Sequence, residues 1–501
     1  MHNPINPPSD LEHGVARRSG AVRRVVGGPA GAAVAVGVAV AILVLLAANL
    51  PGIVPRGAPG SPEYPTVPVG PPAPVDLALG SVIGDHPADP FFAVSISETG
   101  ENSTRLSAQG AFFNATPIDV YRLGGGGEGY DPTTGVVYAP PAAGGVFAPS
   151  PGTLVNLPAF VAWCTAREPP CVWLSYLPGE ENDSVAALHY ATWFHQVLHA
   201  PPTYWMFGNE PAGWTHFGLN QSVWSTADAS VPTGPEYAGM VSSYIAAISA
   251  RYPQDRYIGI ESSCACSRTL IEDTAAAVGT RVAAEAFHEF PSDNGSVGSV
   301  ASLMASLAGS SAIPAAAAQF RTNLGLECPA CADGPVQIGA YQIGPSGTHS
   351  PYTATYDGAA FLAGSIVQAL EANVSSFTVF SSDILFNATT GTVSPEGLLY
   401  EDLLPHLAMG TDLAVTVSGN GSAGVYAIAT ENGSRWSLFL VNTNLGHGVT
   451  VAIPAGLAAP GSTASSWSWG PGEPAPVATT GGALPATFTV APEGILLVSG
   501  G

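Results

Sequence analysis

The sequence predicts an α/β chain: a (β/α)8 TIM barrel, then a C-terminal antiparallel β-sandwich, both carried behind an N-terminal transmembrane helix. Three observations carry that expectation. Between about residues 91 and 381, eight short β-branched or aromatic runs alternate with Ala-rich helical stretches. After about Leu403 the texture becomes strand-like alternation broken by Asn-Gly turns. Near the N-terminus, one uncharged run is long enough to cross a bilayer.

Taken in order, residues 1–24 read as a cytoplasmic tail and 25–50 as a signal-anchor helix. From Val25 to Val54 there is no charge, while Arg17, Arg18, Arg23 and Arg24 stand just before it, so the positive-inside rule puts everything after Pro51 outside the cell. A cleaved signal peptide is the alternative, because Leu46-Ala47-Ala48 resembles a cleavage site, but the run exceeds the usual apolar core of such a signal. Nine Asn-x-Ser/Thr triplets, at Asn102, Asn114, Asn182, Asn220, Asn294, Asn373, Asn387, Asn420 and Asn432, all lie beyond the apolar run, as export requires of glycosylation acceptors. Residues 51–75 are Pro-rich and read as a semi-rigid spacer.

The barrel is expected over 76–400, with strands at 91–97, 118–123, 171–176, 203–208, 257–261, 282–288, 335–341 and 376–381, the number a closed barrel needs. Helical periodicity between them places Val185, Leu188, Ala191, Trp193 and Val197 on one buried stripe, and Tyr237, Met240, Tyr244 and Ile248 on another. Residues 401–501 are expected to form the sandwich, with hairpin turns at Asn420-Gly421 and Asn432-Gly433. No repeat of 20–50 residues suggests a solenoid or propeller.

Composition excludes some partners. The formal charge is −23, and all 14 basic residues are Arg, which leaves no basic face to neutralise nucleic-acid phosphates. With only 10% of residues charged, few carboxylates must be neutralised as the medium turns acidic, so acid tolerance is one expectation and biased codon usage the plainer one. Six cysteines suit an oxidising space, with Cys164–Cys171 and Cys328–Cys331 as candidate disulfides. Cys264 and Cys266 fit no obvious partner. A zinc site of four thiolates would need both close pairs together, whereas the barrel puts them at opposite ends, so no metal is expected. No motif asks for a cofactor: GGGGEGY, residues 124–130, lacks the Lys and spacing of a phosphate-binding loop. His189, His195 and His199 recur along one helix and are expected on the outer surface.

Chemistry in such a barrel sits at the C-terminal strand ends. The run TYWMFGNEP stays aromatic and apolar until it stops at Asn209, Glu210 and Pro211, with Trp214 just beyond. An amide and a carboxyl at an apolar strand tip cost desolvation energy unless they have partners or a chemical role. Sugar hydrolysis offers them such a role, in which the carboxyl protonates the leaving oxygen while the amide holds a hydroxyl. The plainer reading is a turn-capping Asn and a solvated Glu. Trp214 is the aromatic best placed to stack on a sugar face.

On these residues the chain resembles clan A glycoside hydrolases, and most of all family 79, the heparanase and β-glucuronidase group, over roughly residues 88–500. FFAVSIS resembles the family's first strand, VYRLGGGGEGYDP its second, MFGNEP its acid/base strand, AFHEFP its sixth-strand His motif and SLFLVNTN its sandwich. The resemblance implies Glu210 as general acid/base, Asn209 as its 2-hydroxyl partner, and Arg122 and His288 as shapers of the sugar site. It further implies a polysaccharide or glycan substrate, with uronic acids expected and Arg122 one candidate for their carboxylate. The chain departs from the family at the seventh strand, where the nucleophilic Glu should stand and PVQIGAYQIGPSG offers Ala340.

Three accounts of that departure remain open. Glu261 on strand five or Glu289 on strand six supplies the base, at a separation of roughly 6.5–9.5 Å if the route is inverting. Tyr341 attacks in the sialidase manner, which asks for a base beside the phenol and for a strand phase that points it into the mouth. Or the barrel binds a glycan without cleaving it. The expectation is thus an extracellular, membrane-anchored glycosidase, or a catalytically inactive glycan-binding or cell-envelope protein derived from one.

Overall fold

A computed structural model describes residues 70–501 except 87–90, 97–102, 124–128, 132–135, 139–156, 168–171, 177–181, 198, 202, 214–231, 291–297, 310–311, 342, 344–350, 381, 388–389, 459–461 and 484–486. The expected cytoplasmic tail and membrane helix, most of the Pro-rich spacer, Cys171 and Trp214 therefore lie outside the described residues. Among those described, no helix is long and apolar enough to cross a membrane.

Eight parallel strands close into a barrel: β2 (Phe92–Ile96), β3 (Val120–Leu123), β4 (Val172–Tyr176), β5 (Tyr204–Met206), β6 (Arg256–Ser262), β7 (Ala284–Glu289), β8 (Val336–Tyr341) and β9 (Ser376–Val379), with β9 returning to β2. All eight fall on the runs that the sequence singled out. They were legible because a parallel strand covered on both faces is apolar almost throughout. Among the described residues, Ala93, Val120, Met206, Ile258, Ala284 and Ala286 form the small apolar cluster of the barrel interior. The outward side chains, such as Phe287 against Phe320 and Trp205 against Phe194, join the much larger core beneath the helices.

The helices obey the same logic with one correction. Helix Gly234–Ser249 starts with a capping box at Thr233 and Glu236 and buries Tyr237, Met240, Tyr244 and Ile248, the expected stripe. Helix Ser184–Gln196, capped by Asp183, buries Ala191 of the expected stripe and packs Leu188 and Trp193 partly buried on the core, but its ends differ: Val185 and Val197 are exposed, while Ala186, Ala187, Tyr190 and Phe194 are buried. Tyr190 and Phe194 pack edge-on against Trp205, and that aromatic contact outweighs burial of the two valines. His195 is likewise no surface histidine, since its Nε2 lies 2.7 Å from an Asp255 oxygen that also accepts from Trp205 Nε1. His189 and His199 are exposed.

The second domain is one nine-stranded mixed sheet, not a purely C-terminal antiparallel sandwich. Strand β1 (Gly70–Asp85), which precedes the barrel in sequence, pairs antiparallel with β10 (Thr411–Ser418) and parallel with a later strand at His447–Val451. This corrects both the spacer, expected to run to 75, and the barrel, expected to start at 76. Pro71, Pro72 and Pro74 are tolerated because that half of β1 has a neighbour on one side only, so the missing N–H groups break no ladder. The apolar alternation of Val75, Leu77 and Leu79 supplies the side chains that join the sheet's own core. Strands β11 (Val425–Asn432) and β12 (Arg435–Asn442) meet at Gly433, one of the two predicted turns. Their other face packs Ile428, Phe439 and Val441 into the barrel's core, against the helix α1 (Tyr356–Glu371).

Cys264–Cys266 and Cys328–Cys331 are disulfides, and Cys164 is disulfide-bonded too. The pairing of Cys264 with its near neighbour answers the question that spacing left open.

Candidate functional site

Five of the predicted residues meet at the C-terminal end of the barrel. Strand β5 stops at Met206, and the chain then turns through Gly208 (φ 83°) and Glu210 (φ 49°). A left-handed Glu is strained, and such residues persist only where their surroundings hold them. Here the Glu210 N–H donates to the Glu261 carbonyl at 3.2 Å, tying the tip of β5 to β6. The turn leaves Asn209 buried and the Glu210 side chain 18% exposed.

Beneath them lies Arg122, from β3, fully buried. Its Nη2 donates to Asn209 Oδ1 at 2.9 Å, its Nη1 to Ser95 Oγ at 2.9 Å, and its Nε to Glu261 Oε1 at 3.0 Å. With its fork so engaged, Arg122 is a positioning group and is not placed to take a sugar carboxylate. His288, from β7, stands between the two acids: Nδ1 lies 2.5 Å from Glu210 Oε1 and Nε2 3.0 Å from Glu261 Oε1. Donating to a carboxylate from each nitrogen requires the doubly protonated ring. Burial would lower the His288 pKa, but Glu210 and Glu261 outweigh it and hold it above the ordinary value. Burial would raise the Glu210 pKa, yet the charges of His288 and then Arg122 hold it below the usual carboxylate value. The four groups form a balanced set of two cations and two anions.

The remaining candidates are not brought into this set. Glu289 is buried, pairs in register with Tyr341, and by alternation shares the outward side of Phe287. Tyr341 is turned away from the mouth: its ring stacks on Phe361 of α1, and its hydroxyl bonds Ser365. Burial raises its pKa well above the ordinary phenol value, so it is neither a nucleophile nor a sugar contact. Ala340 is registered with His288 and is fully buried. A carboxyl from β6 does approach strand β8 on its inner side, for a Cβ at Gly339 would fall 2.3 Å from Glu261 Oε1. Glu261 itself is 1% exposed. Ser95 and Gly339 were missed from sequence; the signal was the two hydroxyls at the end of FFAVSIS and a Gly-Ala pair near the end of a strand.

No protein-family model and no curated protein matches the sequence. Solved structures do. The family 51 α-L-arabinofuranosidase AbfB of Bifidobacterium longum is 14% identical, with a TM-score of 0.63 over 85% of this chain and 99% of its own. The family 44 endoglucanase Cel44A of Clostridium thermocellum is 11% identical, with a TM-score of 0.58 over 86% and 100%. The family 30 xylanase Xyn30A of Clostridium acetobutylicum is 12% identical, with a TM-score of 0.55 over 85% and 99%. The barrel-and-sheet fold is thus shared with these glycoside hydrolases. At this identity the likeness speaks for architecture, and chemistry has to be argued from the mouth.

That mouth departs from a two-carboxylate site. A retaining pair stands about 5–5.5 Å apart with the second carboxylate open to the sugar, and an inverting pair leaves room for water. An imidazole bridging two carboxylates keeps its bonded oxygens about 7 Å apart, within the inverting range, but here the ring fills the gap.

Proposed function

We propose that this protein is an extracellular, membrane-anchored glycan-binding protein built on a glycosidase barrel, which takes a sugar of a polysaccharide or glycoconjugate at the barrel mouth and lacks the two-carboxylate route to cleaving it. The disposition of the carboxyls carries this reading: Glu210 alone among Glu210, Glu261 and Glu289 reaches the opening, while Glu261 is sealed by Arg122 and His288. Two further points support it. A general acid needs a raised pKa, whereas Glu210 is held low and rests as a carboxylate, fit to accept sugar hydroxyls. And Ala340 stands where the family 79 pattern has its nucleophile. Calorimetric titration with an oligosaccharide panel, beside an aryl-glycoside assay, tests the proposal. Binding weakened at least about tenfold by Glu210→Ala, without turnover, is the expected outcome. Turnover by the unaltered chain that Glu210→Gln abolishes would overturn it.

That second outcome corresponds to a hydrolase, with Glu210 as acid and Glu261 as base, which the roughly 7 Å spacing favours provided His288 swings aside to admit water. The arabinofuranosidase, endoglucanase and xylanase activities of the similar structures favour it also. Anchoring and external placement rest on the apolar run at 25–50, the arginines before it and the triplets after it. Protease treatment of intact cells should release the barrel.

A further inference from the structure

Glu261 faces the mouth because of an irregularity in its strand. Between β6 and β7 the register runs Ile258↔Ala284 and then Glu261↔Ala286, so β6 carries one extra residue. Tyr257 faces outward and Ile258 inward. Strict alternation from there would turn Glu261 outward, away from Arg122. The extra residue reverses the phase: Ile260 packs in the outer core, and Glu261 reaches Arg122 and His288.

A bulge leaves a backbone group without its ladder partner, and here a side chain supplies one. Glu285, on β7 between the two registered alanines, accepts the Ile260 N–H on Oε2 at 2.6 Å. The carboxyl lies flat over Gly259, where a Cβ would come within 2.2–2.5 Å of both its oxygens and its carbon. Glu285 is 3% exposed, and its Oε1 has no hydrogen-bond partner.

We infer that Glu285 is a positioning residue for the mouth: by capping the Ile260 N–H it holds the bulge that turns Glu261 inward, and through Glu261 it sets the charge of His288 and the orientation of Glu210. Burial raises the Glu285 pKa to about 8, with the Ile260 bond working against that rise, so near neutrality the group caps as a neutral acid and adds no third anion beside the balanced set. The chain of contacts is continuous from Glu285 through Ile260, Glu261 and His288 to Glu210. The inference rests on this mouth being the functional site, but its readout needs no sugar, so its failure and that of the glycan reading are distinguishable.

The test follows the His288 imidazole by nitrogen NMR across a pH titration of the whole chain. Glu285→Gln keeps a carbonyl acceptor and should leave the His288 titration in place, whereas Glu285→Leu removes the acceptor and should shift it at least about tenfold in proton concentration toward lower pH. Should the Leu chain fail to fold, Gly259→Ala serves instead, because its methyl group displaces the carboxyl without removing it. An unmoved His288 titration in a folded Glu285→Leu or Gly259→Ala chain overturns the inference, even if melting temperature falls.

Discussion

The mouth of the barrel and its joint with the sheet domain both bury acids, and they settle them in opposite ways. At the mouth, Glu210 and Glu261 face Arg122 and His288, so charge meets charge. At the joint, Glu493 faces another acid. It sits at φ 54° in the turn before the last strand and hydrogen-bonds Asp357 in the first turn of α1, with Glu396 beside them. Tyr356 fixes the turn by donating to the Trp469 carbonyl at 3.0 Å and to that of Glu493. Glu396 accepts from the Ala354 N–H at 2.8 Å, in space kept clear by Gly358. Burial first, then Asp357, pushes the Glu493 pKa up to about 9, and burial pushes Glu396 up to about 8. Ionised acids thus organise the mouth, and protonated acids close the joint.

The signs of the pH dependence follow. A carboxyl held below its ordinary pKa, such as Glu210, contributes stability that is present above the unfolded value and lost as pH falls through the folded one. Glu493 and Glu396 do the reverse: their contribution is complete below about pH 4.5 and is lost as pH climbs through about 8 and 9. The joint therefore favours acid, where the mouth favours neutrality.

The largest expected effect is at the mouth. Arg122→Met leaves Glu261 buried beside one cation instead of two and should cost about 3–5 kcal/mol in urea denaturation. Adding Glu261→Gln should restore at least about 1 kcal/mol; a single variant that loses less than that would show that paired charge does not hold the mouth. Next comes the joint. Glu493→Gln should be close to neutral at pH ~5 but more stable than the natural chain by about 2 kcal/mol at pH ~9, and identical pH–stability curves would remove the contrast. His288→Gln, an uncharged replacement, should cost about 1–2 kcal/mol and move the Glu210 titration upward in carbon NMR, which sharpens the assignment of its low value to the imidazolium. The smallest effect belongs to neither region: Glu272→Gln, which breaks the exposed helical pair with Arg268, should change stability by less than about 0.5 kcal/mol.

The legible and illegible parts of the molecule divide by range. The eight barrel strands could be read because parallel strands covered on both faces draw largely apolar runs, a property written locally in each run. Asn209 and Glu210 stood out for the same reason, as polar groups that break an apolar strand. The place of β1 could not be read, since Asp76 pairs with Ser418 across the whole barrel and its prolines resemble a spacer. Nor could the helix phase at Val185, where an aromatic contact with another element decides which side is buried.

What the sequence determined by itself, then, was the order of elements, the closed eight-stranded class and Glu210 at the tip of its strand, because periodicity and isolated polarity are written residue by residue. Only the tertiary structure decided that Glu261 turns inward, that Tyr341 turns outward, and that strand β1 completes the second domain. The physical reason is that side-chain direction in a strand changes sign with a single inserted residue. That insertion is held by Glu285, a partner on another strand that no local pattern announces.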